Sequence, residues 1–138
     1  MNYWLFKSEP DTWGWPEQRA RGAAGEEWHG VRNYQARNNM RAMKIGDRGF
    51  FYHSNIGKEI VGIVEVCRES QPDSTTDDPR WDCVHIRAVR PLLRTVTLED
   101  CKRHPSLAMM KLVTTARLSV QPVTPEEWQL VCVMGGLA

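Results

Sequence analysis

The sequence predicts an α+β domain: a curved, largely antiparallel sheet surrounded by short helices. Strand-like and helix-like segments interleave along the chain, but the joins in its middle are short and hairpin-like, which argues against a doubly wound parallel fold. The stretch EIVGIVEVC is almost wholly apolar, as a central strand should be. At 138 residues the chain has room for one domain, taken as residues 1–138, and can bury a core without disulfide or metal staples.

The elements follow in order. Asn2 to Lys7 is aromatic and apolar and ends at a turn-prone SEPD, so it reads as a strand. Pro16 is placed to open a short helix, and Gly22 to Gly25 reads as a loop. Residues 33–44 form a helix in which Ala36, Met40 and Met43 make an apolar stripe, with Gly46 as its C′ residue. Two strands follow, Asp47 to His53 and Glu59 to Cys67, joined by a turn at Ser54-Asn55-Ile56-Gly57. The polar segment 70–80 is expected as a surface loop, and Trp81 to Val89 as a strand with Val84, Ile86 and Ala88 on one face. Thr97 and Asp100 form a capping pattern for a short helix, Ser106 to Leu112 give a helical turn or two, and Arg117 to Val120 a short strand closed by Pro122. In the last helix Thr124 is the N-cap, Pro125 the first helical residue and Glu127 the capping-box acid, and Gly135-Gly136 end it.

The composition excludes several classes. Eighteen Lys plus Arg against seventeen Asp plus Glu leave a formal charge of +1, too little for nucleic-acid binding by bulk charge. The N-terminus does not read as a signal peptide and no stretch reaches membrane-span length, so a cytoplasmic protein is expected, or a nuclear one in a eukaryote, without a membrane partner. The four cysteines are widely spaced and form no ligand box, so free thiols are expected and neither a metal nor another cofactor. No phosphate-loop, dinucleotide, zincin or hydrolase motif occurs, and His53 and Ser54 would point to opposite faces of a strand, so no catalytic residue is assigned.

Two patterns stand out. Across 31–48 the residues Arg32, Arg37, Arg41, Lys44 and Arg48 face one acid, Asp47, giving a local charge of +4. Arg37, Arg41 and Lys44 repeat at helical spacing and suit phosphate contact, although a solvated helix face has the same pattern. Six tryptophans is a large number for this length. Trp4 and Trp128 lie on regular elements and are assigned to the core. Trp28, flanked by charged residues and glycine, and Trp81, at a strand start, suit base stacking; Trp13 and Trp15 could be rim or core. Ser8, Asn33, Asn38, Ser54 and Asn55 can bond base edges, though each is also a good cap or turn residue.

The segments YWLFKSEP (3–10), WHGVRNYQARNNM (28–40), GDRGFFYHSN (46–55), IVGIVEV (60–66), QPD (71–73), DDPRW (77–81) and RLSVQPVTPEEW (117–128) occur in the order of the EVE domain family, which the chain resembles over nearly its whole length. The resemblance implies a PUA-like fold, a pseudo-barrel or curved sheet wrapped by short helices and related to the YTH readers of methylated adenine. It also implies a non-enzymatic reader that takes a flipped modified base, such as a C5-modified cytosine, into an aromatic-walled pocket in DNA or RNA. Matched by position, the pocket would draw on Lys7, Ser8, Trp28, Asn33, Tyr52, Ser54, Asn55, Trp81, Arg117, Ser119 and Gln121, with Arg32, Arg37, Arg41 and Lys44 on the backbone. The chain departs from the family pattern at 11–27 and 68–80, loops expected to rim the pocket. Nucleic acid is the expected partner and a monomer the expected state. An RNA-binding module that reads no modification is the main alternative, and a nucleotide-processing enzyme the remoter one.

Overall fold

The computed structural model describes residues 1–137. Six strands form one sheet: β1 (Tyr3–Ser8), β2 (Glu26–Glu27), β3 (Arg48–His53), β4 (Glu59–Pro72), β5 (Asp82–Thr97) and β6 (Val120–Val123), in the spatial order β2-β5-β4-β3-β1-β6. Every pairing is antiparallel except β1 with β3. Six short helices wrap the sheet: α1 (Pro10–Trp13), α2 (Trp15–Ala20), α3 (Tyr34–Ala42), α4 (Leu98–Arg103), α5 (Lys111–Thr114) and α6 (Pro125–Met134). The sheet is mostly antiparallel and curved, as the sequence predicts.

Alternation along the strands divides the apolar side chains into two cores. Trp4, Phe6, Phe51, Val64, Val66, Val84 and Ile86 turn to one face, where Trp15, Trp28 and α3 residues Ala36 and Met40 cover them. Leu5, Phe50, Tyr52, Ile60, Ile63, Leu92 and Val96 turn to the other, under α4, α5 and α6. The register shift between β4 and β5 at Ile60/Gly62 breaks the two-residue period, so Ile60 and Ile63, three residues apart, enter the same core. The buried Asp47 carboxylate ties α3 to β1, accepting from Trp4 Nε1 at 3.1 Å and from the Lys44 amide at 3.1 Å.

The helix caps follow local chemistry. Asn33 Oδ1 accepts from the Ala36 amide at 2.9 Å, and Thr97/Asp100 and Thr124/Glu127 close full capping boxes. Other elements depart from expectation. β4 and β5 run to Pro72 and Thr97, because bulges let the long hairpin bend without ending. Pro122 lies inside β6, opposite Trp4, where an edge strand tolerates its missing N–H. Gly46 is not the C′ residue: Met43 caps α3 in extended geometry, and Gly46 (φ 94°) serves a later turn. The four cysteines are free, and burial pushes the Cys83 thiol up to about 12 and Cys101 to about 11. Among the described residues no helix is long and apolar enough to cross a membrane.

Candidate functional site

The site begins where the chain is laid onto β5. At Gly25 (φ 73°) a Cβ would sit 2.6 Å from the Ile86 carbonyl oxygen, so only glycine permits this approach. Glu26 and Glu27 then pair with Ile86 and His85, and the Trp28 amide donates to the Val84 carbonyl at 2.9 Å. That short strand turns Trp28 inward, edge-on to Phe6 and Phe51 at 5.6 and 5.8 Å between ring centroids. Its charged neighbours suggested a non-core setting; instead its ring is 8% exposed and forms part of the first core.

Asp73 holds the next residues. Its buried carboxylate accepts from the Gly30 amide (2.8 Å), Arg32 Nη1 (3.1 Å) and the Thr75 amide (2.8 Å). Burial alone would raise its pKa, but the hydrogen bonds from Thr75, Gly30 and Arg32 outweigh it and hold the group at about 2. Asp73 therefore fixes the 28–32 segment to the far end of the β4–β5 hairpin.

Between this segment and the end of β1 lies a cavity of about 430 Å³. Lys7, Ser8 and Glu9 form one side, Thr12 and Trp13 of α1 another, residues 26–32 the third, and Ser119 closes it. Trp13 is fixed by donating from Nε1 to Gln18 Oε1 at 3.0 Å, while Gln18 Nε2 bonds the Ile86 carbonyl. Ser8 Oγ donates to the Trp13 carbonyl, which leaves its oxygen able to accept. Lys7 Nζ donates to the Ala116 carbonyl at 2.7 Å, and burial lowers its pKa. Glu26 and Glu27 are engaged with Arg21 and Ser74. Two indoles, three hydroxyls and both signs of charge thus line one small space, a combination suited to a flat heterocycle with mixed donors and acceptors.

Of the expected pocket residues, the structure brings Lys7, Ser8, Trp28 and Ser119 to the cavity, with Arg32 at its edge. Asn33 caps α3. Tyr52 lies in the second core, because its register in β3 turns it to the opposite face from Phe51; burial pushes its hydroxyl up to about 12. Ser54 and Asn55 form the turn after β3, where Asn55 adopts φ 67°. Gln121 is fully buried and donates to the Leu118 and Thr115 carbonyls, so it braces the loop that carries Ser119. Arg117 is exposed on that loop. Trp81 stacks on Tyr34 at 5.0 Å rather than lining the cavity. Trp15 belongs to the core beneath Gly62, where a Cβ would lie 2.4 Å from its ring, and its amide donates to His53 Nε2 at 3.0 Å. The sequence leaves Trp13 between rim and core and gives no cue for Asp73, whose contacts with Gly30 and Arg32 are made across the fold.

The basic stripe lies beside this site. Arg32 pairs with Asp73, and Arg41 pairs with Asp82 at 2.7 Å. Arg37 donates to the Arg80 carbonyl at 2.9 Å and to Asn38 Oδ1, and Lys44 is exposed. The Arg41–Asp82 pair is solvent-exposed and worth only about 0.2–1 kcal/mol, so it can yield to a phosphate, whereas Arg32 is anchored on the buried Asp73 carboxylate.

A bent six-stranded sheet with helices on both faces and a cavity at the end of its first strand defines a PUA-like α+β domain. Within that class the chain belongs to the EVE domain family, whose model matches residues 2–134. It is 38% identical to mouse thymocyte nuclear protein 1 over 94% of this chain and 72% of that protein. A crystal structure of an Agrobacterium tumefaciens protein, 65% identical, superposes at TM-score 0.99 over 100% of this chain and 95% of the other. The human THYN1 protein in complex with DNA containing 5-methylcytosine is 34% identical and superposes at 0.89 over 98% of each chain. A YTH domain from Zygosaccharomyces rouxii, 14% identical at TM-score 0.56 over 97% of this chain and 86% of the other, shares the fold.

Proposed function

We propose that this chain is a non-enzymatic reader of one extruded, C5-modified cytosine, held in the cavity between Trp28 and Trp13 and bonded by Lys7, Ser8 and Ser119. The observation that carries the reading is the similarity, over nearly the whole of both chains, to a protein crystallised with 5-methylcytosine DNA. The cavity agrees with it in kind: aromatic walls supply sequence-tolerant stacking, and hydroxyl, ammonium and carboxylate groups can read a base edge. Asn33, Gln121 and Tyr52 act behind the wall by holding α3, the Ser119 loop and β3. The compartment follows the nucleic acid: cytoplasm in a bacterial cell or nucleus in a eukaryotic one, with the chain acting as a monomer.

The energetics set the scale. Extruding a base from a duplex costs a few kcal/mol, and two aromatic walls at about 1–3 kcal/mol each offset it. One methyl group adds only about 1–3 kcal/mol, so the expected preference is roughly 10- to 200-fold. If about three cations of the stripe engage phosphates, the log–log salt slope is about −2 to −3. Anisotropy titrations with matched oligonucleotides carrying cytosine, 5-methylcytosine or thymine test the reading. Tighter binding of the methylated cytosine with that slope supports it; equal affinity for all three sinks the modification readout and favours a general nucleic-acid module.

A further inference from the structure

Outside the cavity, the exposed face of α3 carries an aromatic group with no partner on one side. Tyr34 is 50% exposed, although its ring lies nearly parallel to the buried Trp81, 5.0 Å away at 22°. Arg37 is 4.9 Å from the Tyr34 centroid and 5.9 Å from that of Trp81. With the two rings 5.0 Å apart, those distances put the guanidinium at the flank of the stack; a group over the outer Tyr34 face would lie much farther from Trp81. Arg80 donates to the Tyr34 hydroxyl at 3.2 Å and is held by Asp78. Arg32 lies 5.4 Å from the Trp81 ring and also lines the cavity. The tyrosine is thus braced from below and from its edge and its outer face is open; Arg37 and Arg80 lie against it, Arg32 lies by Trp81, and Arg41 reaches the Arg80 carbonyl at 3.4 Å.

We propose that the Tyr34–Trp81 stack is a second nucleotide subsite, in which the outer face of Tyr34 receives the base next to the extruded one and the surrounding arginines take the phosphates of that strand. A solvent-exposed ring loses stacking area to water unless something covers it, and a base is the flat, apolar-faced group that also brings phosphate to four guanidiniums. Continuity supports this placement, because Arg32 touches both the cavity and the stack, so a strand entering one site passes the other. The ring is pre-ordered by Trp81 and Arg80, so little conformational entropy is lost when a base settles on it. Like any flanking site, this one rests on the cavity reading.

The test uses the full chain and a single-stranded oligonucleotide with one 5-methylcytosine, either intact or with an abasic residue on one or the other side of it. Wild type should lose roughly 5- to 150-fold with the abasic residue on one particular side, the range expected for one stacked base. Tyr34→Ala should bind the intact strand that much more weakly and lose nothing more to the abasic substitution; Tyr34→Phe, which keeps the ring, should behave as wild type. An unchanged melting temperature in Tyr34→Ala excludes a folding effect. If Tyr34→Ala binds the intact strand as wild type does, or remains sensitive to the abasic residue, the subsite is wrong and the cavity stands. If 5-methyldeoxycytidine monophosphate binds wild type and Trp13→Ala equally while Tyr34→Ala weakens the oligonucleotide, the cavity reading falls, and with it the flanking position given to Tyr34.

Discussion

The two faces of the sheet are both rich in aromatic side chains, but they are finished differently. On the α6 face, Trp128 is stacked between Tyr3 and Phe50 at 4.5 and 4.1 Å, and the covering helices α4 and α6 begin with closed capping boxes. On the other face, Trp28 is covered not by a long helix but by the irregular segment 25–33, pinned through Gly25, Val84 and Asp73. Beside it lies the cavity, and deeper in that core the Trp15 Nε1 is buried without a partner. One face is sealed by local, self-contained elements; the other is held by long-range polar contacts and leaves room at its edge. The residues proposed to bind are drawn from the second face for that reason.

Substitutions can separate the two faces. Trp128→Ala should destabilise the fold by up to about 3–5 kcal/mol through loss of a partly buried ring stacked between Tyr3 and Phe50, yet leave nucleotide binding by the folded fraction unchanged; urea denaturation and anisotropy measure the two effects. Asp73→Ala should cost about 1–3 kcal/mol by orphaning the Gly30 amide and freeing Arg32, and should weaken binding as well. In wild type, the Asp73 contribution is complete above pH 4 and is lost as pH falls toward about 2, because its folded pKa is lowered; acid titration of Asp73→Ala should lack that component. Gly62→Ala should cost about 1–3 kcal/mol by driving the Trp15 ring from its seat. Thr124→Ala should remove only about 1 kcal/mol and touch nothing on the cavity face.

The smallest effect is a pH dependence at His53. Burial lowers its pKa, against the pull of Glu59 and Glu17, and its Nε2 accepts from the Trp15 amide. Below about pH 6.5 the unfolded chain binds a proton that the folded chain resists, so stability declines as pH falls through the folded pKa. His53→Gln should flatten that slope in thermal melts taken between pH 7 and 5.

What the sequence disclosed follows the same division. The Thr97 and Thr124 caps and the α3 cap at Asn33 were legible because a cap is written in four adjacent residues. The family motifs pick out Lys7, Ser8, Trp28 and Ser119, and the structure places all four in the lining of the cavity. The rest depends on contacts between distant segments. The two-residue β2 and the four-residue α1 are too short to carry a period, and α2 showed only its opening proline. Trp28 reads as non-core because the charged residues beside it alternate away from the core, and Trp81 reads as a stacking wall because nothing local shows that Tyr34 covers it. The paired arginines Arg32 and Arg41 likewise looked uncommitted until Asp73 and Asp82 came beside them.

The indole N–H resonances of the six tryptophans give the most direct test of the difference between the faces. In a titration of the wild-type chain with an oligonucleotide carrying one 5-methylcytosine, the indole signals of Trp28 and Trp13 should move, with smaller changes at Trp81, while those of Trp128 and Trp4 stay in place. Shifts centred on Trp128, or saturable binding that leaves Trp28 and Trp13 unmoved, would contradict the placement of the base in the cavity.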